Sequence, residues 1–347
     1  MSDKCCPKCF GDRGLRDNNF PFLSRQRGRC DFCGSEDQDL LEPGQLIDLF
    51  EMLVSIYEPD SEGRPLVECL KVDWQLFDHP SMDNARVQIL LGEILDNGEI
   101  VRRKFAPSTR HDNKGLAQWG TLRHELLTKN RYFLDKALDT DRLRDLLDFL
   151  ILGELEEDWY RARIIPSGAA YILEEMGAPP RHLATSGRAN PAGIPYLYLG
   201  SVAETAVSEL RPHTGEEACV ALFSLPPEIK VVDLRNPRKL VSPFGLSDAS
   251  AIDQLRADIP LLERLGQELT RPVLPQSAAV EYIPSQYICE FIKKNKFDGV
   301  VYSSSVSDGI NLALFDPDKA VAKSVARYRI TRVSVDVEKV STTKVMN

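Results

Sequence analysis

The sequence predicts an α+β multidomain protein in three consecutive parts. These are a small zinc-ribbon-like head (residues 1–42), a helical accessory domain (43–155) and a mixed α/β domain (156–347). Three observations predict this class: five of the eight cysteines fall within the first 33 residues, apolar residues then recur with helical spacing, and short β-rich runs follow. A chain of 347 residues is long enough for more than one domain core.

Composition excludes several classes of function. The chain has 43% hydrophobic and 27% charged residues with a formal net charge of -9, so it lacks the basic excess typical of nucleic-acid-binding proteins. Its apolar runs, such as "LLDFLILGEL" from Leu146, are shorter than the roughly 18 residues that a membrane span needs. The first residues, "MSDKCCPKCFGD", have no apolar signal-peptide core. We therefore expect a soluble cytoplasmic protein with no membrane partner.

The head has paired cysteines with metal-ligand spacing. Cys6-x-x-Cys9 and Cys30-x-x-Cys33 are separated by twenty residues and supply four thiolates, the donor set of a tetrahedral zinc site. Cys5 is an alternative first ligand, although its spacing to Cys9 is less usual. Four protein ligands leave no open coordination position, so we expect the zinc to be structural.

Apolar periodicity predicts helices in the accessory domain. The segments "QLIDLFEMLVSIY", "NARVQILLGEIL" and "DRLRDLLDFLI" each repeat near 3.6 residues, which indicates helices that pack on helices. The polar segment Phe105 to Gly115, "FAPSTRHDNKG", is predicted to be a loop.

Past Glu156 the pattern favours a twisted sheet with few helices. "WYRARI" alternates, so Arg161 and Arg163 project from one face of a strand. One helix is predicted at "SQYICEFIKKN", before the strand at Asp298. The other predicted strands are "IPYLYLG", "ACVALFSL", "IKVVDL", "FDGVVYSS", "NLALFD" and "VARYRITRVSVDV".

The stretch "GRANPAGIPYLYLGSVAETAVSEL" (187–210) contains a turn, a strand and a helix start. Period two places Tyr196 and Tyr198 on one strand face. Ser201, with a glutamate three residues on, has the pattern of a capping box. Arg188, in the turn, either faces solvent or offers its planar fork to a phosphate. Glu209 falls at the edge of the apolar helix stripe, which is typical of a solvated helix edge and equally allows reach into an adjoining cleft.

A hydroxyl cluster follows a later predicted strand, in "VVYSSSVSDGINLALF" (300–315). Ser303 and Ser304 stand at the strand exit, and Asn311 follows the next glycine. Hydroxyls and free backbone N–H groups at such a turn are able to bind phosphate oxygens, but serine-rich loops are also common without a ligand.

Together these two stretches resemble the RES family, named for its arginine, glutamate and serine. The similarity runs from about Tyr160 to Phe315. The amino-terminal "CPKCF...CDFC" and the helices after it resemble the accessory region, called HEPN/RES amino-terminal, that precedes some RES domains. The resemblance implies an ADP-ribosyltransferase-like fold for the RES domain. The arginine–histidine helix motif of HEPN ribonucleases is missing, which favours a scaffold or partner-binding role for the helices.

The resemblance also implies site residues. The family arginine in the Gly-Arg-x-Asn-Pro turn falls on Arg188, the strand tyrosine on Tyr198 and the helix glutamate on Glu209. The family serine falls on Ser304, with Ser303 inseparable from it because Ser303 replaces a proline found in many relatives.

An earlier family arginine falls on Arg161, with Arg163 as its rival. The arginines, the two serines and Asn311 are then expected to bind phosphates. The carboxylate of Glu209 would stabilise oxocarbenium character on the ribose, and Tyr198 would stack on the leaving ring.

The implied activity is cleavage of the nicotinamide–ribose bond of NAD, as a phosphorylase or glycohydrolase, by a toxin that depletes NAD. NAD is then the substrate, inorganic phosphate is one acceptor, and an antitoxin or immunity protein is the expected partner. Two alternatives stay open: transfer of ADP-ribose to a protein, and a binding module without turnover.

Overall fold

The cysteine-rich head forms two short α-helices with a π-helix (Leu15–Asn19) between them, and a hairpin. The computed structural model describes residues 3–111, 114–135, 138–153, 155–166, 169–335 and 337. In the head, helix α1 ends at Gly11, whose φ of 67° is the left-handed conformation that glycine adopts at low cost. Its elements are α1 (Pro7–Phe10), α2 (Phe20–Leu23), β1 (Gln26–Gly28) and β2 (Gln38–Leu40), with β1 and β2 antiparallel.

The accessory region is helical, as predicted, but it also contains a hairpin. Phe105 is buried, and it pairs in strand register with Pro59 and Arg64, so the start of the predicted Phe105–Gly115 loop is a strand. Tertiary pairing overrides the polar local pattern here. Asp112 and Asn113 lie outside the described residues. The elements are α3 (Ile47–Val54), β3 (Tyr57–Pro65), α4 (Leu66–Trp74), α5 (Asn84–Ile94), β4 (Lys104–Pro107), α6 (Lys114–Thr128) and α7 (Thr140–Asp148).

Each of the seven segments predicted as strands contributes to one seven-stranded sheet in the carboxy-terminal half. The order is β11-β7-β5-β6-β10-β9-β8, and all neighbours are antiparallel except the β8–β9 pair. The strands are β5 (Asp158–Ile164), β6 (Leu197–Gly200), β7 (Glu217–Ser224), β8 (Val231–Asp233), β9 (Gly299–Ser303), β10 (Ile310–Leu314) and β11 (Val321–Arg329). The last strand ends before the "TRVSV" of its predicted segment. Residues 336 and 338–347 lie outside the described residues.

The expectation of few helices in this half is wrong. The described residues form five α-helices here, and the longest has 22 residues, with Pro260 in its interior. The Asp248 carboxylate caps that helix by accepting from the Ala251 N–H at 2.9 Å. The helices are α8 (Ala203–Ser208), α9 (Pro237–Leu240), α10 (Ala249–Thr270), α11 (Ala278–Glu281) and α12 (Ile283–Lys294).

One hydrophobic core connects all three regions. Phe10 of the head contacts Phe50 of α3 with ring centroids 5.5 Å apart, and Phe50 contacts Phe244 of the sheet half at 5.0 Å. Apolar residues of α6, α10 and α12 belong to the same core. Tyr196 joins it, whereas Leu197 enters the smaller core on the other face of the sheet. The predicted strand alternation is thus confirmed.

Within the described residues, none of the helices combines the length and apolar character that a bilayer crossing requires.

Candidate active site

The sheet separates between two of its strands, and a cavity occupies the gap. Strand β5 pairs with β7 along its whole length but with β6 only at Tyr160 and Gly200. Beyond that pair, the Arg161 Nη1 donates to the Tyr198 carbonyl at 3.1 Å. The cavity measures about 410 Å³, within the range of small-molecule sites, and residues of both strands line it.

The turn before β6 is built around the hydroxyl of Tyr198. That hydroxyl accepts from the N–H groups of Ala189 (2.9 Å) and Asn190 (3.2 Å) and donates to the Asn190 Oδ1 at 2.8 Å. A Cβ on Gly187 would lie 2.6 Å from the same hydroxyl oxygen, so only glycine fits there. This packing therefore accounts for the glycine and the asparagine of the Gly-Arg-x-Asn-Pro turn.

The turn presents Arg188 to the cavity in a fixed position. Its Nη1 donates to the Arg271 carbonyl at 2.9 Å, and its guanidinium lies over the Tyr282 ring, 5.0 Å from the centroid. Arg188 is half-buried and lines the cavity. A guanidinium held in this way loses little further freedom when it binds an anion.

Tyr198 lines the cavity but offers it no free hydroxyl. Its hydroxyl is fully used in the turn, so the hydroxyl is not available for a hydrogen bond to a ligand. Burial raises the pKa of Tyr198, so the side chain stays neutral.

The structure separates the two rival arginines. Arg161 lines the cavity, and the buried Nε atoms of both Arg161 and Arg163 have no hydrogen-bond partner among the described residues. Burial, together with the nearby Arg163, lowers the pKa of Arg161 to about 10, which leaves it a cation at neutral pH. Arg163 donates to the Gly177 carbonyl at 2.8 Å and lies over the Tyr171 ring, and it does not line the cavity.

Glu209 directly follows α8 and is oriented by two donors. Its Oε1 accepts from the Ser304 Oγ at 2.7 Å and from the Asn311 Nδ2 at 2.6 Å. The predicted capping box at Ser201 is wrong, because α8 begins only at Ala203 and the Ser201 hydroxyl accepts from the Ile310 N–H. Glu209 is the C-cap residue of α8 and lines the cavity.

The two serines differ in their contact with Glu209. Ser304 donates to the Glu209 carboxylate, whereas Ser303 ends β9 opposite Ile310, and neither serine is part of the cavity wall, which Ser305 lines instead. The buried Asn311 is the second residue of β10, lies opposite Gly200 and lines the cavity.

Sequence reasoning missed several residues of the cavity wall, among them Tyr302, Ser305, Tyr282 and Arg211. Tyr302 directly precedes the serine cluster, so its position in β9 was an available signal. Tyr282 and Arg211 come from the α11–α12 junction and from the turn after α8, and only the tertiary fold brings them here. Arg211 has a φ of 51°, a left-handed conformation that is uncommon for a side-chain-bearing residue.

The four cysteines of the paired motifs converge, and the donor set fits zinc. All four are buried, and their sulfur atoms lie within 4.8 Å of one another. Sulfur atoms bound tetrahedrally at about 2.3 Å would lie about 3.8 Å apart. The two hydrogen-bonded sulfur pairs, Cys6–Cys33 and Cys9–Cys30, are 3.5 and 3.3 Å apart. The alternative ligand Cys5 is directed elsewhere, towards the Leu41 carbonyl at 3.6 Å.

Comparison with curated proteins finds no significant match. A solved structure of the M. tuberculosis MbcT-MbcA toxin-antitoxin complex is similar over 54% of this chain and 92% of that chain, with 15% identity and a TM-score of 0.32. Those values carry no argument about function. A family model described as the RES domain matches residues 158–336, just over half of the chain. That range contains the split sheet and every residue named above around the cavity, and the chain belongs to the RES-domain family.

Proposed function

We propose that the cavity binds NAD and that the protein cleaves the bond between nicotinamide and ribose. The observation that carries this proposal is a carboxylate, Glu209, held by two hydrogen bonds at a cavity that Arg161 and Arg188 also line. NAD has the matching chemistry, since its pyrophosphate is a dianion and its glycosidic carbon develops positive charge as nicotinamide leaves.

Each side chain has a role in this reaction. Arg161 and Arg188 bind the pyrophosphate oxygens, and the Tyr198 ring packs on the nicotinamide or its ribose. As the bond from the ribose C1′ to the ring nitrogen breaks, its electron pair passes to that nitrogen and neutralises the pyridinium. Glu209 stabilises the oxocarbenium character of the ribose, and an acceptor oxygen then bonds to C1′.

The acceptor distinguishes the variants of this proposal. Water gives a glycohydrolase, inorganic phosphate gives a phosphorylase, and a protein side chain gives an ADP-ribosyltransferase. We favour loss of NAD to phosphate or water, in line with the family resemblance, as the activity of a toxin acting in the cytoplasm. Such a toxin needs an antitoxin or immunity protein as a partner, because its own cell also depends on NAD.

We further propose that the four-cysteine cluster binds one structural zinc ion. Four buried thiolates would complete the tetrahedral coordination and leave no open position for chemistry.

The test is product analysis by mass spectrometry after incubating the full chain with NAD, with and without phosphate. We expect nicotinamide plus ADP-ribose or its phosphorylated form. The variant Glu209→Ala should lower turnover by about 100-fold or more, because the developing charge loses its carboxylate. Glu204→Ala is the matched control, since this exposed glutamate lies on α8 outside the cavity wall.

Wild-type protein that leaves NAD intact under both conditions would contradict the enzyme proposal and favour the binding module. Full turnover in Glu209→Ala would contradict only the role of that residue. A mass increase on a protein in place of a free product would support the transferase alternative.

A further inference from the structure

A buried acid at the end of α10 joins the two large regions of the protein. The side chain of Glu268 is fully buried and accepts from the Arg271 Nε at 3.2 Å. It also pairs with Arg264 of the same helix at 3.0 Å and with Arg123 of α6 at 2.9 Å. A buried carboxylate is stable only with such partners. One of the three comes from the accessory region.

Arg123 extends this contact to a second element. Its Nη2 lies 3.5 Å from the Glu281 carboxylate, at the end of α11. Arg271 makes a parallel link, donating to the Glu281 carboxylate at 2.5 Å and to the Glu281 carbonyl at 2.9 Å. The planar fork of Arg123 therefore connects the end of α10 to the end of α11. The compact ammonium group of a lysine would not reach both carboxylates at the same time.

The two elements connected in this way are the ones that hold Arg188. The Arg271 carbonyl accepts from the Arg188 Nη1 at 2.9 Å, and Tyr282, directly after Glu281, lies beneath the guanidinium. Ser285 of α12 donates to the Arg188 carbonyl at 2.6 Å. Displacement of α10 relative to α11 would therefore displace the arginine at the cavity.

We propose that Arg123 is a positioning residue for the active site, and that the accessory region completes the site by fixing Arg188 through Glu268, Arg271 and Glu281. This inference rests on the proposed NAD reaction, in which Arg188 holds the pyrophosphate. A small misplacement of a binding group is costly in such a site, because the substrate must lie close to its reacting geometry. The helical accessory region thus contributes to the geometry of the active site.

The experiment compares Arg123→Ala with Arg142→Ala. Arg142, on α7, makes the same kind of contact to α10, with its Nη2 2.7 Å from the Asp258 carboxylate. That contact lies ten residues, or about 15 Å of helix, from Glu268. We expect Arg123→Ala to raise KM for NAD about five- to tenfold with kcat less affected, a size typical of mutations that act through a network. Arg142→Ala should change KM less than twofold, and Arg123→Lys should fall between wild type and Arg123→Ala.

Amide hydrogen exchange of residues 184–194 gives a readout that does not depend on turnover. We expect faster exchange there in Arg123→Ala than in Arg142→Ala. Equal KM values and equal exchange in the two alanine variants would overturn the inference. Wild-type protein that neither binds nor consumes NAD would overturn the proposed function instead, and the exchange comparison would still decide whether Arg123 fixes the turn.

Discussion

At the residue scale, the site depends on how one carboxylate is oriented. Both described hydrogen bonds to Glu209 reach Oε1, from Ser304 and from Asn311. Charge-assisted hydrogen bonds of this kind fix a flexible side chain before substrate binds. Little further conformational entropy is then lost on binding. Ser304, to which the resemblance assigns the serine of the family name, therefore donates to the glutamate in this structure.

The two adjacent serines give a direct test of this interpretation. We expect Ser304→Ala to lower NAD turnover about tenfold, because Glu209 loses one of its two donors. Ser303→Ala should stay within about twofold of wild type, since Ser303 ends a strand and Ser304, not Ser303, donates to Glu209. Steady-state kinetics of the two variants measures this difference. A larger loss in Ser303→Ala than in Ser304→Ala would contradict it.

At the element scale, the turn before β6 is stabilised by a hydroxyl from the strand that follows it. The Tyr198 hydroxyl satisfies two backbone N–H groups of the turn and one amide oxygen. Tyr196, two residues earlier on the same strand face, has a buried hydroxyl with no partner among the described residues. Tyr198 lies in β6 and Tyr196 directly precedes that strand, and their two hydroxyls have opposite hydrogen-bond status.

This pair predicts opposite effects of the same substitution. Tyr198→Phe should lower the free energy of unfolding by about 2 kcal/mol and raise KM for NAD, because buried N–H groups lose their acceptor beside Arg188. Tyr196→Phe should leave stability unchanged or slightly higher, since it removes an unpaired buried hydroxyl. Urea denaturation of both variants measures these changes. Equal destabilisation would show that the turn does not depend on the Tyr198 hydroxyl.

The elements that could be predicted from sequence are those whose pattern is local. All seven strands follow from alternation or from short apolar runs, and the Cys6–Cys9 and Cys30–Cys33 pairs follow from spacing. Helix α10 was missed although Ile252, Leu255, Ile259 and Leu262 repeat at helical spacing. An interior proline argues against a helix locally, and tertiary packing outweighs it here.

The candidate site was predictable to the same extent. The family motifs identified the residues that approach the cavity along β6, α8 and β9. They left Arg161 and Arg163, and likewise Ser303 and Ser304, unresolved. Those choices depend on where the sheet splits and which way each side chain turns, and neither is encoded in a short motif. Tyr282 was likewise not predictable, because only the tertiary fold brings it to the cavity.

At the scale of the whole molecule, the head is integrated with the rest of the protein. The Phe77 N–H donates to the Phe10 carbonyl at 2.8 Å, and Ser242 of the sheet half donates to the buried Asp12 at 2.8 Å. The Phe10 ring contacts three other phenylalanines of the shared core. The region boundaries at residues 42 and 155, taken from sequence, therefore remain a proposal about organisation and do not mark separate cores.

Zinc removal should consequently destabilise more than the head. We expect Cys30→Ser, or treatment with a strong chelator, to abolish zinc binding and lower Tm by about 10 °C or more. The reason is that the free energy of metal binding contributes to the free energy of folding. Cys5→Ser is the matched control, since Cys5 is buried nearby but lies outside the four-sulfur cluster. Metal analysis and thermal unfolding measure both effects. One zinc per chain retained in Cys30→Ser would contradict the ligand assignment.

The continuous core also determines at what point during its synthesis the polypeptide is able to form the cavity and its surrounding contacts. The head and accessory helices leave the ribosome first, and the apolar face of α6 has no covering until α10 and α12 have emerged. Arg188 is translated before Arg271, so the turn waits for more than eighty further residues before its guanidinium is fixed. Glu209 lacks its two hydrogen-bond donors until Ser304 and Asn311 have been translated. A nascent chain thus lacks the complete cavity wall and the oriented Glu209 carboxylate until its final strands are in place.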